Sequence, residues 1–172
     1  MRIRTTIIIT LATALLQMGC GTGVQGKIRT LPGTFTWDVD KDRLGHSKEE
    51  DFFWQQENHM DRFLVPRNGT RMAILPDATF EAVTAEQASE LELTKDRLSG
   101  SDEDSVLPPG TVVVFRTSGN RLGVLEIVRY LPLHDLSFPE AKKVPKEARE
   151  LMESEPNIAR YHLVLRWRFL ED

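Results

Sequence analysis

Apolar positions alternate with polar ones along most of this chain, and that period of two predicts strands. In 34–39, Phe35, Trp37 and Val39 alternate with Thr34, Thr36 and Asp38, the pattern of a strand with one buried face. Phe63, Leu64 and Val65 run into Pro66-Arg67-Asn68-Gly69, a strong turn signal, and 71–75 predicts a further strand closed by Pro76-Asp77. The clearest pair is TVVVFRT (111–117) and LGVLEIVRY (122–130), joined by Ser118-Gly119-Asn120-Arg121 as a hairpin. Residues 112–115 are apolar on both faces, so that strand is expected to be central. In the last strand, 161–170, Leu163, Leu165, Trp167 and Phe169 share one face, with His162, Arg166 and Arg168 on the other.

Helical spacing is confined to two short stretches. In 84–93, Thr84 is an N-cap and Gln87, three residues on, completes a capping box. A surface helix is expected over 145–154. The charged segment 40–51 (DKDRLGHSKEED) and the segment 94–110, ending in Pro108-Pro109-Gly110, read as loops. These elements predict a mainly β fold, a small antiparallel barrel or sandwich with one or two short helices, as a single domain over 34–172.

The N-terminus breaks the pattern. Arg2 and Arg4 precede an uncharged apolar run, TTIIITLATALL (5–16), which is the layout of a signal peptide. At about 1.5 Å per residue the run is too short to cross about 30 Å of hydrocarbon as a permanent helix. The one cysteine follows directly, in Leu16-Gln17-Met18-Gly19-Cys20. This segment resembles the lipobox of bacterial lipoproteins, in which a Leu and two small residues precede a cysteine that is lipidated and becomes the mature N-terminus. Gly19 and Cys20 match that pattern, while Gln17 and Met18 stand where the family prefers Leu and a small residue. The resemblance implies a signal peptide over 1–19, removed on export, and lipidation of Cys20 by diacylglyceryl and N-acyl (palmitate-type) chains. It also implies an extracytoplasmic protein of the cell envelope, anchored to a membrane. Two acyl chains hold stably where one holds only marginally. Residues 20–33 (CGTGVQGKIRTLPG), Gly-rich and without apolar periodicity, read as the lipidated tether. The remainder of the chain, from Asp38 through Asp51-Phe52-Phe53-Trp54 to the GTVVVFRT hairpin, loosely resembles uncharacterised bacterial secreted β-domains, a likeness that brings no function.

Composition narrows the classes. With 172 residues, 40% hydrophobic and 28% charged, the chain has ordinary globular make-up. One cysteine excludes an intramolecular disulfide framework and a thiolate zinc site. The balance of 22 basic against 26 acidic residues, net −4, argues against a nucleic-acid partner. Loss of 1–19 removes Arg2 and Arg4 and leaves the rest two units more acidic.

Candidate chemistry is sparse. Asp38, Asp40, Asp42 and Glu49 fall at positions 1, 3, 5 and 12 of a calcium-loop template, although Arg43 occupies the turn position that wants Gly and a strand leads in. Calcium is thus the one cofactor the residues suggest, and a calcium-stabilised structural domain is one reading. The same segment, with Asp51, holds the carboxylates an envelope hydrolase would use. His46, His59, His134 and His162 lack ligand spacing, and there is no G-x-S-x-G. Gly119 and Gly123 precede a strand, not the helix a phosphate loop requires.

For binding, the aromatic run Phe52, Phe53 and Trp54 falls outside any clear register and is the best candidate for a partly exposed contact with an envelope protein or glycan, against the commoner alternative of large rings plugging one end of the barrel. Trp37 and Trp167, in register on their strands, are expected in the core. Arg160, Arg166 and Arg168 share a strand face that Arg116 or Arg129 extends, a basic row suited to an anionic cell-wall group or, more commonly, the wet face of a sheet. Asn68-Gly69-Thr70 matches a glycosylation sequon. The reading favoured is a lipid-anchored, non-catalytic binding or interaction domain, with the hydrolase and the calcium-stabilised domain as alternatives.

Overall fold

In the computed structural model the alternating stretches pair into two antiparallel sheets of five strands. The structure describes residues 25–45, 47–57, 61–101, 103–132 and 161–170, with Asp135, Ser137, Ala141, Lys142, Lys146 and Glu150 between. The expected signal peptide over 1–19, Cys20, Arg160 and most of the helix expected over 145–154 lie outside them. One sheet has the order β1 (Lys27–Leu31), β10 (Tyr161–Phe169), β9 (Leu122–Pro132), β8 (Val112–Arg116), β6 (Arg71–Ile74). The other has the order β3 (Arg43–Gly45), β2 (Thr36–Asp38), β4 (Phe52–Gln56), β5 (Arg62–Pro66), β7 (Leu98–Ser99). The outermost strands of each sheet do not pair with one another, so the architecture is an open sandwich and not a barrel.

The main core lies between the sheets and is built around aromatic rings. Trp37 meets Trp167 edge-on at 5.2 Å between centroids, and Phe52 meets Phe115 edge-on at 5.4 Å, each pair spanning the two sheets. Leu163, Leu165 and Trp167 point inward, as their alternation predicts. A second, smaller core covers the opposite face of the β10–β9–β8 region. There Val112, Val114, Val124 and Leu170 pack under Phe80, Val83 and Ala88. These three belong to a cap made of a 3-10 turn (Phe80–Ala82) and helix α1 (Ala85–Ser89). With a core on either side, β8 is apolar on both faces and sits between β9 and β6, as expected.

The capping box of α1 is complete. The Thr84 hydroxyl accepts from the Gln87 N–H at 3.2 Å, and the Gln87 side chain accepts from the Thr84 N–H at 3.1 Å. The helix ends at Glu90, however, and not at residue 93. Leu91 and Leu93 instead pack against the second core in extended chain, and Thr94 then bridges to Met72 along the outer edge of β6.

Three segments read as irregular contain strands, one of them the two-residue β7 within the expected 94–110 loop, paired with β5. Residues 27–31, placed in the tether by the sequence, form β1, paired along its whole length with β10. Its polarity is inverted. Lys27, Arg29 and Leu31 lie opposite the inward Trp167, Leu165 and Leu163, while Ile28 faces out and is 57% exposed. The sheet therefore begins at Lys27, ahead of the expected boundary at 34. Within the expected 40–51 loop, Arg43–Gly45 form β3, a short return strand paired with β2.

Asp51 ties the two sheets together at one end. Its carboxylate is buried and accepts from the Val39 N–H at 2.9 Å, the Thr70 hydroxyl at 2.8 Å, and the Ser118 N–H and hydroxyl, both at 3.2 Å. Asp51 and Val39 belong to one sheet, Thr70 and Ser118 to turns of the other. Replacing Asp51 by Ala orphans one buried N–H (Val39) and one buried hydroxyl (Thr70) and removes both bonds to Ser118, and should cost about 3 kcal/mol in urea unfolding. Phe80→Ala empties the centre of the second core and should cost about 3–5 kcal/mol. Amide exchange in 79–93 should then accelerate before exchange in β9 and β10.

Candidate functional site

Three concavities of the described residues border the β8–β9 turn, residues 117–121. This turn is fixed from both sides. Ser118 is held by Asp51, and Asn120 takes the left-handed conformation (φ 66°) that the tight reversal requires. Asp40 approaches so closely that a Cβ on Gly119 would stand 2.7 Å from its carboxylate oxygen. Arg121 leaves the turn to lie over the Phe169 ring at 3.3 Å and donates to Asp40 at 3.4 Å.

A cleft of about 600 Å³ opens beside the turn, lined by Lys27, Asp40, Asp42, Arg121, Trp167 and Phe169 among others. Its two aromatic rings each carry a cation, Arg121 over Phe169 and Lys27 over Trp167 at 5.0 Å. Its two carboxylates are each met by cations: Asp40 by Arg121, and Asp42 by Arg29 and, at 3.8 Å, by Lys27. A second groove of about 630 Å³ runs between the turn and α1 and shares Arg121 and Phe169. A third, of about 400 Å³, shares Arg116 and Asn120 with the second. The three surround one turn.

The four residues aligned with a calcium loop are not brought to a common centre. The chain reverses at 39–42 into β3, with the Asp42 N–H donating to the Val39 carbonyl at 3.2 Å, so successive acids point to different neighbours. Asp38, on β2, accepts from both the backbone N–H and the ammonium of Lys41 at 2.9 Å, with Arg43 at 3.9 Å. Asp40 and Asp42 line the cleft, and Glu49 is exposed beyond the next turn. No three His, Cys, Asp or Glu side chains converge as a metal site among the described residues.

Of the aromatic run, two rings follow the buried alternative and only Phe53 is partly exposed. Phe52 and Trp54 are fully buried and Phe53 is half-buried beneath the Arg67 guanidinium, 4.2 Å from its ring. The run is strand β4, whose alternation is disguised because the outward position also holds an aromatic residue. Trp54 packs against Tyr130 at 6.0 Å, and the Tyr130 hydroxyl donates to the Leu107 carbonyl at 2.7 Å. Burial pushes that phenol up to about 12, against the lowering pull of Arg62.

Arg166 and Arg168 do share a strand face, but they serve the cap. Arg166 binds the carboxylates of Glu126 and Glu81 and lies over the Phe80 ring at 4.4 Å. Arg168 donates to the Val83 carbonyl at 2.8 Å and the Phe80 carbonyl at 3.3 Å. Arg168 also borders the cleft, and the other cations that line the three concavities are Lys27, Arg71, Arg116 and Arg121. Arg121 is legible as a residue of the expected turn, whereas Lys27 falls in the segment read as tether. Compared with known protein families, curated proteins and solved structures, the chain matches none.

Asp38 makes one consequence measurable. Burial disfavours its charged form, but the two bonds from Lys41 and the charges of Lys41 and Arg43 outweigh this and hold its carboxyl below the usual 3.8. A depressed folded value contributes stability above the unfolded value and loses it as pH falls through the folded one. Urea midpoints followed from neutrality to about pH 2 should therefore fall in acid. Asp38→Asn should be less stable at neutral pH and show a shallower acid limb.

Proposed function

We propose that this chain is a lipid-anchored protein of the cell envelope whose β-sandwich is a non-catalytic binding domain. The binding surface is the cleft beside the β8–β9 turn, and the partner is an envelope protein or glycan. The anchor rests on the lipobox-like placement of Cys20 behind the apolar run 5–16. The binding role rests on one observation above all: the cleft joins the half-buried ring of Phe169 to ammonium, guanidinium and carboxylate groups within one concavity, with the 2%-exposed Trp167 in its lining. Rings supply flat apolar area, cations donate and carboxylates accept. That mixture suits a polar polymer rich in hydroxyl and amide groups.

The two halves of the reading are tested separately. Cys20→Ser should move the protein from the membrane to the soluble fraction, and continued membrane attachment would overturn the anchor. The soluble Cys20→Ser chain should co-sediment with purified envelope polymer. Adding Lys27→Ala and Arg121→Ala should weaken this about tenfold, a loss of about 1.4 kcal/mol, while Arg129→Ala, on an exposed position of β9, should not. Equal sedimentation of all variants would remove the cleft from consideration.

A further inference from the structure

We propose that the groove along the β6–β8 edge is a separate oxyanion site, binding a carboxylate or phosphate group through Arg71 and Arg116. These residues are register partners in the β6–β8 ladder, so two guanidinium groups stand directly opposite on one sheet face. Like charges in that position destabilise a sheet unless something neutralises them. Among the described residues nothing does. Among the described residues neither arginine makes an ion pair, and Arg116 reaches only the carbonyl and amide oxygens of Asn120, both at 3.5 Å.

The contrast is with Arg166 and Arg168 on the same face of the same sheet: Arg166 is met by two carboxylates, Arg168 by two carbonyls, and both by the Phe80 ring. No carboxylate lines the groove, whose other walls include Leu91, Leu93, Ser118 and Asn120. Asp51 lies behind Ser118, but its oxygens are already met by Val39, Thr70 and Ser118. Glu86 lines the neighbouring groove, on the far side of Arg116, without pairing with it. Two arginines lining one concavity, with Leu91 and Leu93 in the same lining, supply the guanidinium forks that suit a bidentate oxyanion. The feature stands on an otherwise acidic chain, which makes it local and not a general basic surface.

The test uses the full chain carrying Cys20→Ser, at low ionic strength, titrated with inorganic phosphate and with citrate. Saturable one-to-one binding of either anion is expected, the better one naming the group. Arg71→Gln and Arg116→Gln should each weaken it at least about tenfold, while Arg129→Gln leaves it unchanged. Melting adds an independent readout. The bound anion should raise the midpoint beyond sodium chloride of equal ionic strength. Arg71→Gln should raise it with no anion present, by relieving the repulsion, and should abolish the anion-dependent increment. The site is overturned if neither anion acts beyond sodium chloride, or if the effect survives both substitutions. Because Lys27 and the aromatic cleft take no part, this result is independent of the partner proposed above.

Discussion

A single buried carboxylate sets the geometry on which every concave feature depends. Asp51 immediately precedes β4 in one sheet and reaches the turns that end β8 and precede β6 in the other. Through Val39 it also pins the reversal after β2. Sheet-on-sheet packing leaves some freedom of sliding, since interdigitated apolar side chains are not directional. Hydrogen bonds from four donors onto one carboxylate are directional and short of alternatives when buried. They fix where the β8–β9 turn stands relative to the β2–β3 reversal, which in turn sets Arg121 against Asp40 and opens the cleft between them.

The arginines of the first sheet divide by what meets them. On β10, Arg166 and Arg168 reach out from the sheet to hold down the Phe80 cap, combining charge, hydrogen bonds and ring contact. They act as fasteners for the second core. At the opposite edge, Arg71 and Arg116 lie past the end of the cap, where none of the described residues provides a counter-charge. The same residue type on the same face thus serves cohesion at one edge and leaves unbalanced charge at the other.

Sequence pattern carried the fold well where one face of a strand is clearly apolar. The β8–β9 hairpin, the inward row from Leu163 to Trp167, the burial of Trp37 and the Thr84–Gln87 box were all legible, because local chemistry and tertiary role agree there. It failed where they disagree. β1 turns Lys27 and Arg29 toward the inner side and Ile28 toward solvent, since Arg29 is neutralised by Asp42 from the other sheet, a partner 13 positions away. β4 hides its period behind Phe53. The acids of 38–42 imitate a ligand loop in spacing, yet the tight reversal sends them to Lys41, Arg121 and Arg29. As for the candidate site, Asp40 and Asp42 were singled out for different chemistry. The pairing of Arg71 with Arg116 depends on a register that no local pattern encodes.

The assignment of β1 also changes the mechanics of the proposed anchor. Sheet structure starts at Lys27, and Lys27 itself borders the aromatic cleft. With a lipid on Cys20, only the seven steps to Lys27 separate the bilayer from that cleft, at most about 25 Å of fully extended chain. So short a leash gives the domain little room to wander or turn over. It would hold the cleft near the membrane surface, sampling a thin layer next to the lipid headgroups, so that reach as well as chemistry would select what it meets.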